Sequence, residues 1–295
     1  MRKLDLLNLV MLAALCAITP LSLRAAPHNW LPLAAYVGMA GLILTYPQVR
    51  LPWFDFPKAF RRVYPVVYIA LIFDSLADVI PKVHTWRADN LLMSIDRALF
   101  GVDPTRYLEG WLSGPVVELL TYAYMIYFLL PFVLLWLLWR DGKLEEINHW
   151  ACLITIALYA NYLLYFVFPA VGPRFHIMHS TDVHGMFFSD FLMSTLNGLE
   201  ANKFDAFPSA HVNAALVTLY GFARFHRRGV IPVAVVVAAI AVSTVYLRYH
   251  YVIDVLSGAA LAAAAIAAGE YFYARSAKTE RAGCGVQRAN GALMR

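Results

Sequence analysis

The stretch Pro115-Val-Val-Glu-Leu-Leu-Thr-Tyr-Ala-Tyr-Met-Ile-Tyr-Phe-Leu-Leu-Pro-Phe-Val-Leu-Leu-Trp-Leu-Leu-Trp139 carries one charged side chain, Glu118, in 25 residues. A helix needs about 20 mostly apolar residues to cross the ~30 Å hydrocarbon layer of a bilayer, and this run exceeds that. Seven further runs read the same way, at 6–22, 30–46, 63–81, 149–168, 209–225, 229–247 and 251–273, the first two being short. Over the whole chain of 295 residues, 61% are hydrophobic and 15% charged. Soluble domains carry about 25% charged residues, so a soluble enzyme, a disordered chain and a disulfide-rich secreted domain are excluded. The expected fold is all-α: a polytopic helical membrane bundle of about eight spans.

The formal charge is +5, but the cations lie in short loops between apolar runs. That placement points to membrane topology and not to nucleic acid. With the N-terminus inside, the alternating loops hold 16 Lys and Arg on the inner side and 8 on the outer. Both termini are therefore expected in the cytoplasm, with loops 82–114 and 169–208 and the turn before 251 outside. The first run, after Arg2 and Lys3, also has the pattern of a signal peptide ending near Ala25-Ala26. Residues 1–62 read as an N-terminal hairpin with its cytoplasmic loop, 63–273 as the main membrane domain, and 274–295 as a basic, unstructured tail. Segment 86–112 is amphipathic, with Leu91, Leu92, Ile95, Leu99 and Phe100 among Arg87, Asp89, Asp96 and Arg97. It is expected to lie on the outer interface. Cys16, Cys152 and Cys284 form neither a disulfide framework nor a zinc pattern.

Polar groups at membrane depth are expensive, so each asks for a reason. Most collect on one side. Arg174 follows the fifth run, Ser209 and His211 open the sixth, and Thr244, Arg248, His250 and Asp254 surround the last turn. His211 and His250 have two spans between them, and two crossings return the chain to the face it left. The two histidines must therefore share a depth. His250 and Asp254 are i,i+4, a spacing that on a helix lets a carboxylate hold one imidazole nitrogen and leave the other free. Pro208 suits a helix start, where free N–H groups favour an anion. Arg174 and Arg248 add guanidinium forks that match phosphate oxygens. One histidine can then attack phosphorus while the other protonates the leaving oxygen. There is no metal-binding or nucleotide-binding motif, and neither metal nor cofactor is expected.

Pro208-Ser-Ala-His211, and Ser243-Thr244 followed by five residues, His250, three residues and Asp254, resemble the type 2 phosphatidic acid phosphatase superfamily over roughly residues 86–273. The resemblance implies that His250 is a nucleophile forming a phosphohistidine, Asp254 its orienter and His211 the general acid. It also implies that Arg174 and Ser209 hold the phosphate. Thr244 stands where that family usually has Arg, Ala210 where it has Gly, and Val167 where it has Lys. These departures look like the inositol phosphorylceramide synthase branch, which also shares the Phe-Pro…Pro-Arg approach and the stretch Ile95-Asp-Arg-Ala-Leu-Phe-Gly101. Arg248, one turn from Thr244, is then expected to compensate, with Lys203 as a weaker candidate.

The resemblance implies a lipid phosphate or phospholipid substrate; the loop charges put the site at the outer face, and the short loops suggest a bacterial inner membrane, an ER or Golgi membrane with a luminal site being formally equivalent. Water as acceptor gives a phosphatase, and a lipid hydroxyl gives a headgroup transferase. A transporter would place its charges at mid-depth on broken helices, not at one end; a binding protein on the same fold remains the alternative. Asp74 and Asp78 (i,i+4) are read as pairing with an Arg or lining a lipid entrance. Glu118 and the loose group His176, His179 and His184 are assigned no role. The small residues from Gly258 to Gly269 are read as close helix packing.

Overall fold

The computed structural model describes residues 2–50, 53 and 55–293, with side chains through Arg275. The chain is helical, with no strand among the described residues. In order, the helices are α1 (Lys3–Ala25), α2 (Leu31–Thr45), α3 (Phe56–Val83), α4 (Asp89–Phe100), α5 (Pro104–Tyr107), α6 (Gly114–Arg140), α7 (Leu144–Val167), α8 (Pro173–His176), α9 (Ser189–Leu199), α10 (Ala210–Phe225), α11 (Val230–Tyr246) and α12 (Val252–Leu293). All eight apolar runs become helices. Six of them, α1, α3, α6, α7, α11 and α12, are long and apolar enough to cross a membrane. The other two, α2 and α10, have 15 and 16 residues, about 22–24 Å at 1.5 Å per residue, short of the hydrocarbon thickness. The backbone of α12 continues as helix to Leu293 where the sequence predicts an unstructured tail; Ala, Arg, Lys and Glu are good helix formers and extend it.

Two apolar clusters share α7. One joins α1, α2 and α3 to α7 around Leu12, Leu15, Ile72, Leu76 and Tyr165. The other joins α6, α10, α11 and α12 to α7 around Leu134, Leu138, Leu153, Val217 and Ile240. Lipid is as apolar as leucine, so close packing and buried hydrogen bonds hold such a bundle. A Cβ at Gly258 would stand 2.5 Å from the Ser209 carbonyl oxygen, and Gly269 abuts Leu153 in the same way. The small-residue run on α12 is thus the surface that lets α10 and α7 approach.

Helix α4 buries carboxylates beside Leu92 on its inner face. Leu91, Leu99 and Phe100 are exposed, while Asp89 and Asp96 are buried. It ends at Gly101, whose φ of 73° is the left-handed conformation that closes helices, and Arg97 grips Asp103 through two bonds of 2.7 and 2.8 Å. The two inward carboxylates hold the loops described next.

Candidate active site

His211 and His250, 39 residues apart, meet at one end of the bundle: His211 Nδ1 lies 3.0 Å from His250 Nε2. Three loops converge to hold them. The first follows α7. Asp89 accepts from the backbone N–H groups of Val171 and Gly172, and from the Tyr251 hydroxyl. Gly172 has a φ of 82°, and a Cβ there would stand 2.5 Å from the Tyr249 carbonyl oxygen. Only glycine fits both demands. The Arg174 N–H then donates to the Arg248 carbonyl at 2.9 Å, tying the first loop to the third.

The second loop leads into α10. Ser209 caps that helix, its Oγ accepting from the Val212 N–H at 3.4 Å. Its own N–H donates to the Asp254 carbonyl at 3.0 Å. Asn161 on α7 donates to the Pro208 carbonyl at 2.6 Å and takes a bond from Asn213. This buried amide pair fixes the start of α10, since an amide left unpaired there costs about 1–3 kcal/mol. The third loop turns at Arg248, whose φ of 67° is unusual for a residue with a side chain. The Thr244 carbonyl accepts from the N–H groups of Tyr249 and His250, and Asp96 takes the Val252 and Ile253 N–H groups at 2.8 and 2.9 Å, capping α12 from outside.

One carbonyl orients the protons of the whole pair. His250 Nδ1 lies 2.8 Å from the Ala206 carbonyl oxygen. A carbonyl only accepts, so neutral His250 carries its proton on Nδ1 and presents a lone pair on Nε2. Burial pushes the His250 imidazole down to about 4, which keeps it neutral at pH 7. His211 must then donate from Nδ1, so its Nε2 accepts, and the Tyr124 hydroxyl 2.6 Å away donates to it. The chain Tyr124 → His211 → His250 → Ala206 leaves one free base, poised on the partner's proton.

Asp254 was expected as the direct holder of His250. Its Oδ2 stands 3.5 Å from Nδ1, farther than the Ala206 oxygen, and accepts from the Tyr251 N–H at 2.8 Å. The reason is local: α12 starts only at Val252, so His250 is not one helical turn below Asp254. The carboxylate shapes the loop, while the backbone carbonyl fixes the tautomer. Arg174 lies against this assembly. Its guanidinium stacks 4.1 Å above the Tyr249 ring, which stacks 4.6 Å from Tyr124. It also donates to Asn197 and, at 2.5 Å, to Glu200. Lys203 reaches the same Glu200 at 3.2 Å. Burial, and then Glu200, push the neighbouring Asp205 carboxyl up to about 7. The site thus holds two cations and two acids.

The other candidates sit apart from this cluster. Arg248 directs its guanidinium to the Thr181 carbonyl at 2.6 Å and toward Glu109; its contribution to the pair is its backbone. Thr244 is fully buried, with its hydroxyl on the Ala241 carbonyl. Glu118 accepts from four successive N–H groups, Met186 to Ser189, and so anchors the start of α9. His176, His179 and His184 take separate partners, Asn90, Thr105 and Asp190. Asp78 pairs with Lys82 at 3.6 Å, and Asp74 is exposed. Nothing in the sequence alone singles out Tyr124, Glu200, Asp205 or Asn161. Asp89 and Asp96 were seen only as the polar side of an amphipathic segment, although their i,i+7 spacing puts both on one helix face.

A helical membrane bundle with two facing histidines, an adjacent guanidinium and a capped helix start defines a class of membrane-embedded phosphatase-type proteins. A family model of the PAP2 superfamily matches residues 90–268, and the chain belongs to that superfamily. It is similar to a PA-phosphatase related-family protein of Dictyostelium discoideum, with 22% identity over 200 residues, covering 58% of this chain and 34% of that one. The chain therefore spans about a third of the length of that relative. No solved structure matches it. Membership suggests a phosphatase-type activity in general terms.

Proposed function

We propose that the protein cleaves a lipid phosphate or phosphodiester through a phosphohistidine on His250, as a lipid phosphatase or as a headgroup transferase of the inositol phosphorylceramide synthase kind. The observation that carries this reading is the 3.0 Å approach of His211 Nδ1 to His250 Nε2 with their protons oriented by Ala206 and Tyr124. The phosphoryl group enters between the two rings and takes the place of their mutual hydrogen bond. The anionic phosphate between the rings draws a second proton onto His211; His250 Nε2 then attacks phosphorus, the bond to the leaving lipid oxygen breaks, and that oxygen takes a proton from the His211 imidazolium, which returns to neutral imidazole. His211, now a base, accepts a proton from water or from a lipid hydroxyl. That oxygen attacks phosphorus and His250 is released. Arg174, with Lys203, replaces Glu200 by phosphate oxygens; in this reading Ser209, two residues before His211 at the start of α10, adds a further contact to the phosphate. Thr244 and Arg248 support the turn that aims His250.

Charge excess on the opposite loops supports an outer-face site with both termini cytoplasmic. The test is turnover by purified protein with EDTA present. Its panel holds phosphatidic acid, polyprenyl diphosphate, phosphatidylinositol and phosphatidylglycerol, each with and without ceramide or diacylglycerol. Phosphate release without acceptor identifies the phosphatase. A new phospholipid formed only with acceptor identifies the transferase. Turnover retained in His250→Ala sinks both, and silence across the panel with a folded protein favours a lipid-binding role.

A further inference from the structure

At the end of the bundle away from the histidines, a cavity of about 640 Å³ opens between α3, α6 and α7. A volume of that order accommodates a drug-sized ligand, and so a single acyl chain. Its length follows α6: Tyr127, Pro131, Leu135 and Trp139 line it at four-residue intervals, about 18 Å from first to last at 1.5 Å per residue. Its lining is otherwise mainly apolar, and its rim is open sideways, with Val66, Phe132 and Trp139 exposed. At its outer mouth stand Arg2, Arg61 and Arg62. Arg2 is committed to Asp5 and to the Arg61 carbonyl. Arg61 and Arg62 are exposed and form no ion pair among the described residues. At its inner end, the Tyr127 ring is 4.6 Å from the His211 ring.

We propose that this groove is a binding site for one anionic phospholipid of the leaflet opposite the histidines, with its phosphate on Arg61 and Arg62 and one acyl chain lying along α6 toward Tyr127. Two demands have to be met together. The apolar groove calls for hydrocarbon, and two unpaired guanidiniums at its mouth call for an anion. A neutral lipid meets the first demand only, and a free anion the second only. The mouth lies at the end where loop cations are in excess, the surface that attracts anionic headgroups. The bound chain ends against the wall behind His211, so the site joins the opposite leaflet to the back of the histidine pair. It does not depend on what the histidines do.

The experiment is thermal unfolding of the full chain in dodecyl maltoside. The additions are dioleoyl-phosphatidylglycerol, dioleoyl-phosphatidylcholine, dihexanoyl-phosphatidylglycerol or inorganic phosphate. A ligand that binds only the folded state raises Tm. Dioleoyl-phosphatidylglycerol is expected to raise it by roughly 3 °C or more, and the other three by far less. The double variant Arg61→Gln/Arg62→Gln should keep its own Tm and lose the response. Leu135→Trp, which fills the groove, should lose it too; Ala151→Leu serves the same purpose where the tryptophan prevents folding. Equal stabilisation by the phosphatidylcholine, a full shift with phosphate alone, or an undiminished response in the arginine double variant overturns the proposal.

Discussion

Every proton in the histidine pair follows from the Ala206 carbonyl 2.8 Å from His250, and that gives the side chains separable roles. His250→Ala should reduce turnover to background. His211→Ala should cost at least about 100-fold, the usual worth of a positioned acid. Tyr124→Phe removes the donor that holds His211 in its tautomer, so kcat should fall about tenfold, equivalent to one ~1.4 kcal/mol hydrogen bond, with KM little changed. A change confined to KM would place Tyr124 in substrate binding instead. On the proposed mechanism His250 attacks only when neutral, and protonation raises its charge as pH falls. Because burial holds His250 near 4 rather than at the ordinary ~6.5, the acid limb of the pH profile should fall well below pH 6.5, toward 4. A limb centred at 6.5 contradicts a buried, neutral His250. The histidines, Arg174 and Ser209 were legible in the sequence because chemistry restricts such residues to special spacings. Tyr124 was not, since it is one of three tyrosines in an apolar run and nothing local marks it. Glu200 and Asp205 were hidden because their partners come from other loops.

The loops are held by α4 more than by their own sequence. Asp96 supplies two acceptors to the first N–H groups of α12. Asp96→Ala leaves them unpaired in a buried setting and should cost about 1–3 kcal/mol, seen as a fall of several degrees in Tm with activity reduced in proportion to misaligned His250. Gly258→Ala pushes a methyl group against the Ser209 carbonyl oxygen at 2.5 Å. It should displace the start of α10, so activity is expected to fall more than tenfold while the protein still purifies as a folded species. Full activity in Gly258→Ala would show that α10 tolerates the shift. The periodicity of α4 was readable, and so was its amphipathic character. Which face points inward was not: the rule of apolar-in holds in water, and beside lipid the buried carboxylates are the more specific contacts.

The bundle as a whole was the most legible feature, because apolar length alone specifies a spanning helix. What length could not give was the difference between a helix that spans and one that is buried within the bundle. The short α10 looks as apolar as its neighbours, yet lies inside the second cluster and has its polar cap in the site. Orientation rests on the loop charges. In right-side-out vesicles of a cysteine-free background, Phe187→Cys, an exposed position on the histidine side, should react with an impermeant maleimide. Arg227→Cys, at the opposite end, should react only after the membrane is opened. The reverse pattern would move the site to the inner face.

The covalent step is open to a single measurement. The purified protein is turned over in EDTA on a 32P-labelled substrate from the panel and quenched in alkaline SDS. Label on the chain that acid removes, and that is absent from His250→Ala, is the expected result. Turnover with no label on the chain, or label that persists in His250→Ala, would contradict a phosphohistidine at that residue.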